Sequence, residues 1–258
     1  MIQAIAPSSS TAKTEVFPSS LQVLIDRIQA RVQLTPETIG ECILEARVSA
    51  RDLMPWADFD HPIEDSYGRQ LVYSSHCFKI MVMSWRDRDY SAIHDHGATE
   101  WGAVQCFGRG EHYEYRLENS ILRTEGKSDF QPGEVKLVDR YLIHQMGNLS
   151  GEYFLSLHVY GCNTPEGTIT GNARLFDLWE ESIQRADGGA FFGLPEAEIN
   201  DRAYGLRGDG ETTLRHHRQM RDRLLQILAL RSDAALSLKL TGLERAIAVL
   251  SANERSDR

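Results

Sequence analysis

Ser91-Ala92-Ile93-His94-Asp95-His96-Gly97-Ala98-Thr99-Glu100 carries two histidines two positions apart and a glutamate four positions beyond the second. On a β-strand side chains alternate faces, so His94 and His96, two residues apart, project from the same side. One face then offers two imidazoles, and neutral imidazole is the commonest protein ligand for first-row transition metals. A pair of nitrogens suits Fe, Zn, Ni or Cu better than Ca or Mg, which prefer oxygen. Standing alone, the pair reads equally well as two exposed strand histidines; its neighbours along the chain decide.

Around it the sequence has the period of strands. Residues 67–73 read as one strand, and residues 77–85, CFKIMVMSW, as another that is apolar on both faces and therefore buried on both. Further strands are expected at 102–107, 112–117, 120–123, 133–139 and 154–160, separated by turns such as Glu118-Asn119 and Gln131-Pro132-Gly133. Short strands this close together predict an antiparallel barrel or jelly roll. A third histidine lies in His144-Gln145-Met146-Gly147-Asn148, shortly after the Pro132-Gly133 turn.

The His-x-His-x3-Glu segment, followed by a Pro-Gly turn and a His-x3-Asn segment, resembles the two signature motifs of the cupin superfamily. The resemblance implies a mainly β fold, a cupin (jelly-roll-like) antiparallel barrel. It also implies that His94, His96 and His144 converge on one metal, with Glu100 a candidate fourth ligand.

Ser156-Leu157-His158-Val159-Tyr160 adds a strand on which Ser156, His158 and Tyr160 share a face, three hydrogen-bonding groups in line. Upstream, Tyr67-Gly68-Arg69 starts a strand with the planar fork that a carboxylate prefers. Taken together, these segments resemble cysteine dioxygenase and its bacterial thiol dioxygenase relatives, over roughly residues 67–162. The resemblance implies Fe(II) on the three histidines and a substrate carboxylate on Arg69 with Tyr67 beside it. It further implies a Tyr160 hydroxyl directed at substrate and oxygen, with Ser156 and His158 hydrogen-bonded in series behind it. The implied reaction takes a small carboxylate-bearing thiol, L-cysteine first among them, and dioxygen to the sulfinic acid.

Physical chemistry supports such a site independently. Three neutral imidazoles leave a divalent metal its full charge, which lowers the pKa of an incoming thiol. Oxidation delivered to that sulfur stops at the sulfinic acid. Two features depart from the family or compete with this reading. Animal cysteine dioxygenases link a cysteine to the active-site tyrosine, but residues 97–102 hold none, so no crosslink to Tyr160 is expected; Cys106 is the nearest thiol. If Glu100 bound the metal it would cancel one positive charge, and the chain would be a cupin oxygenase acting on a non-thiol substrate or an altered thiol oxygenase. The same residues also suit a 3-mercaptopropionate-type dioxygenase or a metal-dependent isomerase or decarboxylase. A cupin that kept the pocket and lost the metal would be a non-catalytic binding module.

The rest of the chain sets the frame. Its 258 residues, 41% apolar and 25% charged, are an ordinary globular composition. A net charge of −9 argues against nucleic-acid or anionic-membrane partners, since no surplus of Lys and Arg exists to meet phosphate. Four cysteines without CxxC spacing fit reduced thiols in the cytoplasm. Residues 1–6 are too short and lack the basic residues of a signal peptide. The expected organisation is a flexible tail at 1–18, helices at 19–60 with Thr35 capping a helix begun by Pro36, the barrel at 61–186, and a loop with helices at 187–258. Residues 172–178 fit either a last strand or a helix running on through Trp179 and Ile183. Phe191 and Phe192 fit burial against the barrel, the favoured reading, or a cover over its mouth. His216 and His217, about 100° apart on a helix, read as solvated. The terminal helices suit packing or homo-oligomerisation.

Overall fold

A computed structural model of the chain describes residues 17–163 and 169–256. The expected tail therefore lies outside the described residues as far as residue 16. Phe17 already belongs to the fold, its ring stacked on Trp56.

Among the described residues three helices come first: α1 (Ser19–Gln29), α2 (Pro36–Ala46) and α3 (Ala50–Leu53). Thr35 caps α2 as expected: its hydroxyl accepts from the Thr38 N–H, and Pro36 occupies the first turn. Strands follow: β1 (Gly68–Ser74), β2 (Phe78–Trp85), β3 (Ile93–His94), β4 (Trp101–Cys106), β5 (Glu111–Glu118), β6 (Ile121–Lys127), β7 (Val135–Asp139), β8 (Ile143–Gly147) and β9 (Phe154–Gly161). Then come β10 (Ala173–Asp177), β11 (Ser182–Ala186), β12 (Asp201–Tyr204), β13 (Arg207–Gly208) and the helices α4 (Gly210–Leu230) and α5 (Ala234–Ser256).

The strands form a five-stranded sheet, ordered β1-β2-β9-β4-β7, and an eight-stranded sheet, ordered β12-β11-β10-β3-β8-β5-β6-β13. Every pairing among the described residues is antiparallel except β13 with β6. Non-consecutive neighbours such as β2-β9 and β3-β8 give the crossed connections of a jelly roll. Alternation along the central strands sorts the side chains. Ile80, Val82, Leu157 and Val159 pack outward against Leu24, Ile25, Ile39 and Ile43 of the first helices. Each of these buried side chains contributes about 1.5–3 kcal/mol relative to exposure. Met81, Met83, Trp85 and Tyr160 point inward and form a second cluster. That double-sided burial is what the unbroken apolar run at 77–85 encoded.

The C-terminal half settles several open readings. Residues 173–186 are a strand hairpin, β10 paired with β11, and not a helix. Two more strands, β12 and β13, extend the sheet beyond residue 186, where only loop and helix were expected. Met220, Leu224 and Leu243 of α4 and α5 pack against Ala92, Leu175 and Phe192. His216 and His217 are buried, 2% and 5% exposed, correcting the solvated reading. They pack on Phe192 and Trp179, because a helix covered by both a sheet and a second helix buries a wider arc than one stripe. Among the described residues no helix is long and apolar enough to cross a membrane.

Candidate metal centre

The three histidines meet inside the barrel. β3 ends at His94, so His96 lies just past the strand rather than on it. His94 is register partner to His144 on β8, which sets those imidazoles side by side. One ligand atom from each of His94, His96 and His144 lies within 4.8 Å of the others. The turn that carries His96 inward needs Gly97, whose φ is +54° and whose absent Cβ would lie 2.1 Å from the Gly171 carbonyl oxygen.

Hydrogen bonding shows which nitrogens face the centre. His94 Nδ1 meets the Ala92 carbonyl at 2.8 Å, leaving Nε2 free. Both nitrogens of His96 and the Nε2 of His144 are buried without any partner among the described residues. Buried polar atoms are nearly always satisfied, and an orphaned nitrogen of His96 close to that of His144 calls for a common partner. Burial holds all three imidazoles below the usual histidine pKa, and for His96 and His144 the neighbouring rings push further in the same direction. They are therefore neutral, with lone pairs exposed, as a transition metal requires. The residues present fit a three-imidazole metal site.

Glu100 is not part of it. One of its carboxylate oxygens takes a hydrogen bond from Arg140 at 2.9 Å, and the other accepts the Asn163 N–H at 2.9 Å. The candidate fourth ligand is thus committed to a surface ion pair, which sets aside the three-histidine, one-glutamate reading. Asp95 also turns away, bonded to the Arg174 backbone and guanidinium, and ties β3 to β10.

The pocket beside the histidines is lined by Tyr67, Arg69, Met81, Met83, His158 and Tyr160, among others. On β9 the predicted alternation holds. Ser156 Oγ lies 2.7 Å from His158 Nε2, and His158 Nδ1 lies 2.8 Å from the Tyr160 hydroxyl. The Trp85 indole N–H donates to Ser156 Oγ at 2.8 Å. With His158 the only other partner of the serine hydroxyl among the described residues, the serine proton goes to Nε2, so Nδ1–H donates to the Tyr160 oxygen. Tyr160 is left with its own proton to offer the pocket. Burial raises its pKa, and lowers that of His158 to about 3, so the pair is neutral. The Tyr160 and His96 ring centroids are 5.0 Å apart. Gly102 makes room for the phenol: a Cβ there would stand 2.7 Å from its Cδ1. Cys106, the nearest thiol in sequence, is fully buried, and burial pushes its pKa well up.

Arg69 lines the pocket, yet no carboxylate or carbonyl pairs with its guanidinium among the described residues. Tyr67 stacks on Trp85 at 4.9 Å, and its hydroxyl accepts the Ala190 N–H at 3.0 Å. That bond brings Gly188, Gly189 and Ala190 over the pocket. Phe192 is buried and Phe191 packs on the inner cluster, the favoured of the two readings, while Gly188, Gly189 and Ala190 line the pocket.

Several site residues escaped the sequence. Thr170, a pocket-lining side chain with a buried hydroxyl lacking a partner among the described residues, carries no motif. His112, whose Nε2 meets His144 Nδ1 at 2.9 Å, is 32 positions from its partner. Its only trace is its place at the start of the strand expected at 112–117, whose pairing with the strand of His144 the structure supplies.

No family model matches the chain. Similar solved structures include an uncharacterized conserved protein with a double-stranded β-helix domain from Klebsiella pneumoniae, at 15% identity over 45% of this chain and 89% of that one, TM-score 0.34. A cupin-2 domain protein from Rhodospirillum rubrum aligns at 16% identity over 43% of this chain and 69% of its own, TM-score 0.32. An oxalate decarboxylase from Lactobacillus farciminis, in complex with formate, aligns at 14% identity over 40% of this chain and 31% of its own, TM-score 0.33. The fold is a cupin-like barrel. The strand order of the two sheets gives that barrel, and its interior holds the three histidines.

Proposed function

We propose that this protein is a thiol dioxygenase that converts a small carboxylate-bearing thiol and O2 to the sulfinic acid, with Fe(II) on His94, His96 and His144. The observation that supports it best is the unpartnered Arg69 guanidinium, in one pocket with three imidazoles that each keep an unpartnered nitrogen and with the Tyr160 hydroxyl. When bound, ferrous iron would favour the thiolate form of the substrate and activate dioxygen. The overall change is balanced, R–SH + O2 giving R–SO2H, with sulfur losing the four electrons that dioxygen gains.

The chain's own residues do the rest. Arg69 pairs with the substrate carboxylate by two parallel hydrogen bonds and so fixes the distance from carboxylate to sulfur. Tyr160 donates its free proton to the reacting end, while Ser156 and His158 hold the phenol in place. Met81, Met83 and Trp85 keep the pocket apolar, which strengthens each of these polar contacts. L-cysteine is the leading substrate and 3-mercaptopropionate the second; the ratio of their kcat/KM values decides between them.

The test is oxygen uptake by protein loaded anaerobically with Fe(II). Uptake that matches thiol consumed, with L-cysteine or 3-mercaptopropionate, supports the reading; metal-loaded protein that turns over neither contradicts it. In the active protein Tyr160→Phe is expected to lower kcat by about 100-fold with little change in KM, because the proton is lost and the ring is kept. Initial rates over a range of substrate concentrations check the split.

A further inference from the structure

The three imidazoles differ in what stands behind them. His94 ends on a backbone carbonyl, and His96 has nothing at either nitrogen among the described residues. His144 alone continues into a chain of side chains. Its Nδ1 lies 2.9 Å from His112 Nε2, and His112 Nδ1 lies 3.2 Å from Ser128 Oγ. Ser128 Oγ in turn is 3.1 Å from Glu114 Oε1 and 3.1 Å from Lys136 Nζ. His112 is 3% exposed and sets its ring edge-on against Phe130 at 5.3 Å. Glu114 is 44% exposed at its side chain, so the chain runs from the pocket to the surface.

The direction of each bond follows from what each group can give. Lys136 can only donate, and Glu114 as a carboxylate can only accept. Ser128 therefore takes Lys136 on one lone pair and sends its single proton to Glu114. Its remaining lone pair accepts from His112 Nδ1–H. His112 Nε2 is then an acceptor, and His144 must carry its proton on Nδ1. That tautomer leaves the His144 Nε2 lone pair bare toward His94 and His96. Reversing the two histidine bonds would put a proton on His144 Nε2 and remove the lone pair. It would also require the Ser128 proton to turn back to His112, which strips Glu114 of its donor.

We propose that His112 is a positioning residue that, with Ser128 and Glu114, locks His144 in its metal-binding tautomer and orientation, so that metal affinity depends on a carboxylate outside the pocket. The inference rests on the three imidazoles holding a metal ion and is independent of the substrate. Partners of this kind behind a ligand are worth about 10- to 100-fold in metal affinity.

Two substitutions at one position separate hydrogen bonding from packing. His112→Phe keeps an aromatic ring beside Phe130 and loses both bonds. His112→Gln loses the ring, but its carbonyl can accept from His144 while its amide donates to Ser128. Anaerobic competition titrations with Co(II), read with its visible absorption spectrum, measure affinity and ligand environment without turnover. The expected order is wild type, then His112→Gln within a few fold, then His112→Phe weaker by about 10- to 100-fold with an altered spectrum. An affinity for His112→Phe equal to or above that of His112→Gln would overturn the proposal, since packing alone predicts that order. Glu114→Ala, at an exposed position, is expected to weaken Co(II) several-fold; an unchanged affinity there counts against the lock even if a His112 variant fails to fold. Wild-type protein that binds no Co(II) would remove the metal site itself, a separate failure.

Discussion

Replacing His96 by alanine is expected to abolish metal retention and metal-dependent turnover while leaving the metal-free fold intact. The imidazole is 5% exposed, and neither nitrogen has a partner among the described residues. A structural histidine in such a place would hold neighbouring groups by hydrogen bonds; this one holds none. Its removal opens a cavity, which destabilises, and removes two unsatisfied polar atoms, which relieves about 1–3 kcal/mol each by the usual desolvation cost. The two effects oppose each other, so the melting temperature of metal-free protein should move by only a few degrees. Metal affinity, by contrast, loses one of three ligands, a larger loss than the roughly 100-fold that a supporting group behind a ligand can cost. Metal content after desalting, set beside thermal unfolding of the metal-free forms, checks both halves. A large fall in stability with metal still retained would make His96 a core residue.

Arg69→Met is expected to lower kcat/KM for a carboxylate-bearing thiol by about 30-fold to several thousand-fold. The figure follows from about 2–5 kcal/mol for breaking one side of a buried charge pair, at about 1.4 kcal/mol per tenfold. Arg69 has no carboxylate partner among the described residues, so no ion pair is lost from the free protein and the effect is expected to fall on substrate. Its charge also bears on Tyr67, His158 and Tyr160, all of which stay neutral. A thiol without a carboxylate, such as 2-mercaptoethanol, should be a poor substrate of both forms with similar kcat/KM. Equal losses on both thiols would mean that Arg69 shapes the pocket rather than binding the anion.

Much of this site is legible along the chain because it uses strand alternation. Ser156, His158 and Tyr160 share a face whatever their partners, and their bonds at 2.7 and 2.8 Å follow from that. The capped start of α2 and the doubly buried β2 are local patterns of the same kind. What was not legible depends on contacts between distant residues. Glu100 sits at ligand spacing, but Arg140, 40 positions away, draws its carboxylate aside. Residues 173–183 place apolar side chains at intervals that suit a helix or a strand, and pairing with β3 decides for the strand. β12 and β13 carry little apolar pattern because both lie at edges of their sheet. His216 and His217 are buried only because α5 and the sheet enclose α4 from different sides.

Turnover under isotopically labelled dioxygen, followed by mass spectrometry of the product, tests the central assignment most directly. With Fe(II)-loaded protein and L-cysteine or 3-mercaptopropionate, the expected product is a sulfinate carrying both labelled oxygen atoms, with none formed by the His96→Ala protein. A product free of label, or substrate consumed equally well under argon, would contradict it and make the three-histidine centre a Lewis acid for another reaction.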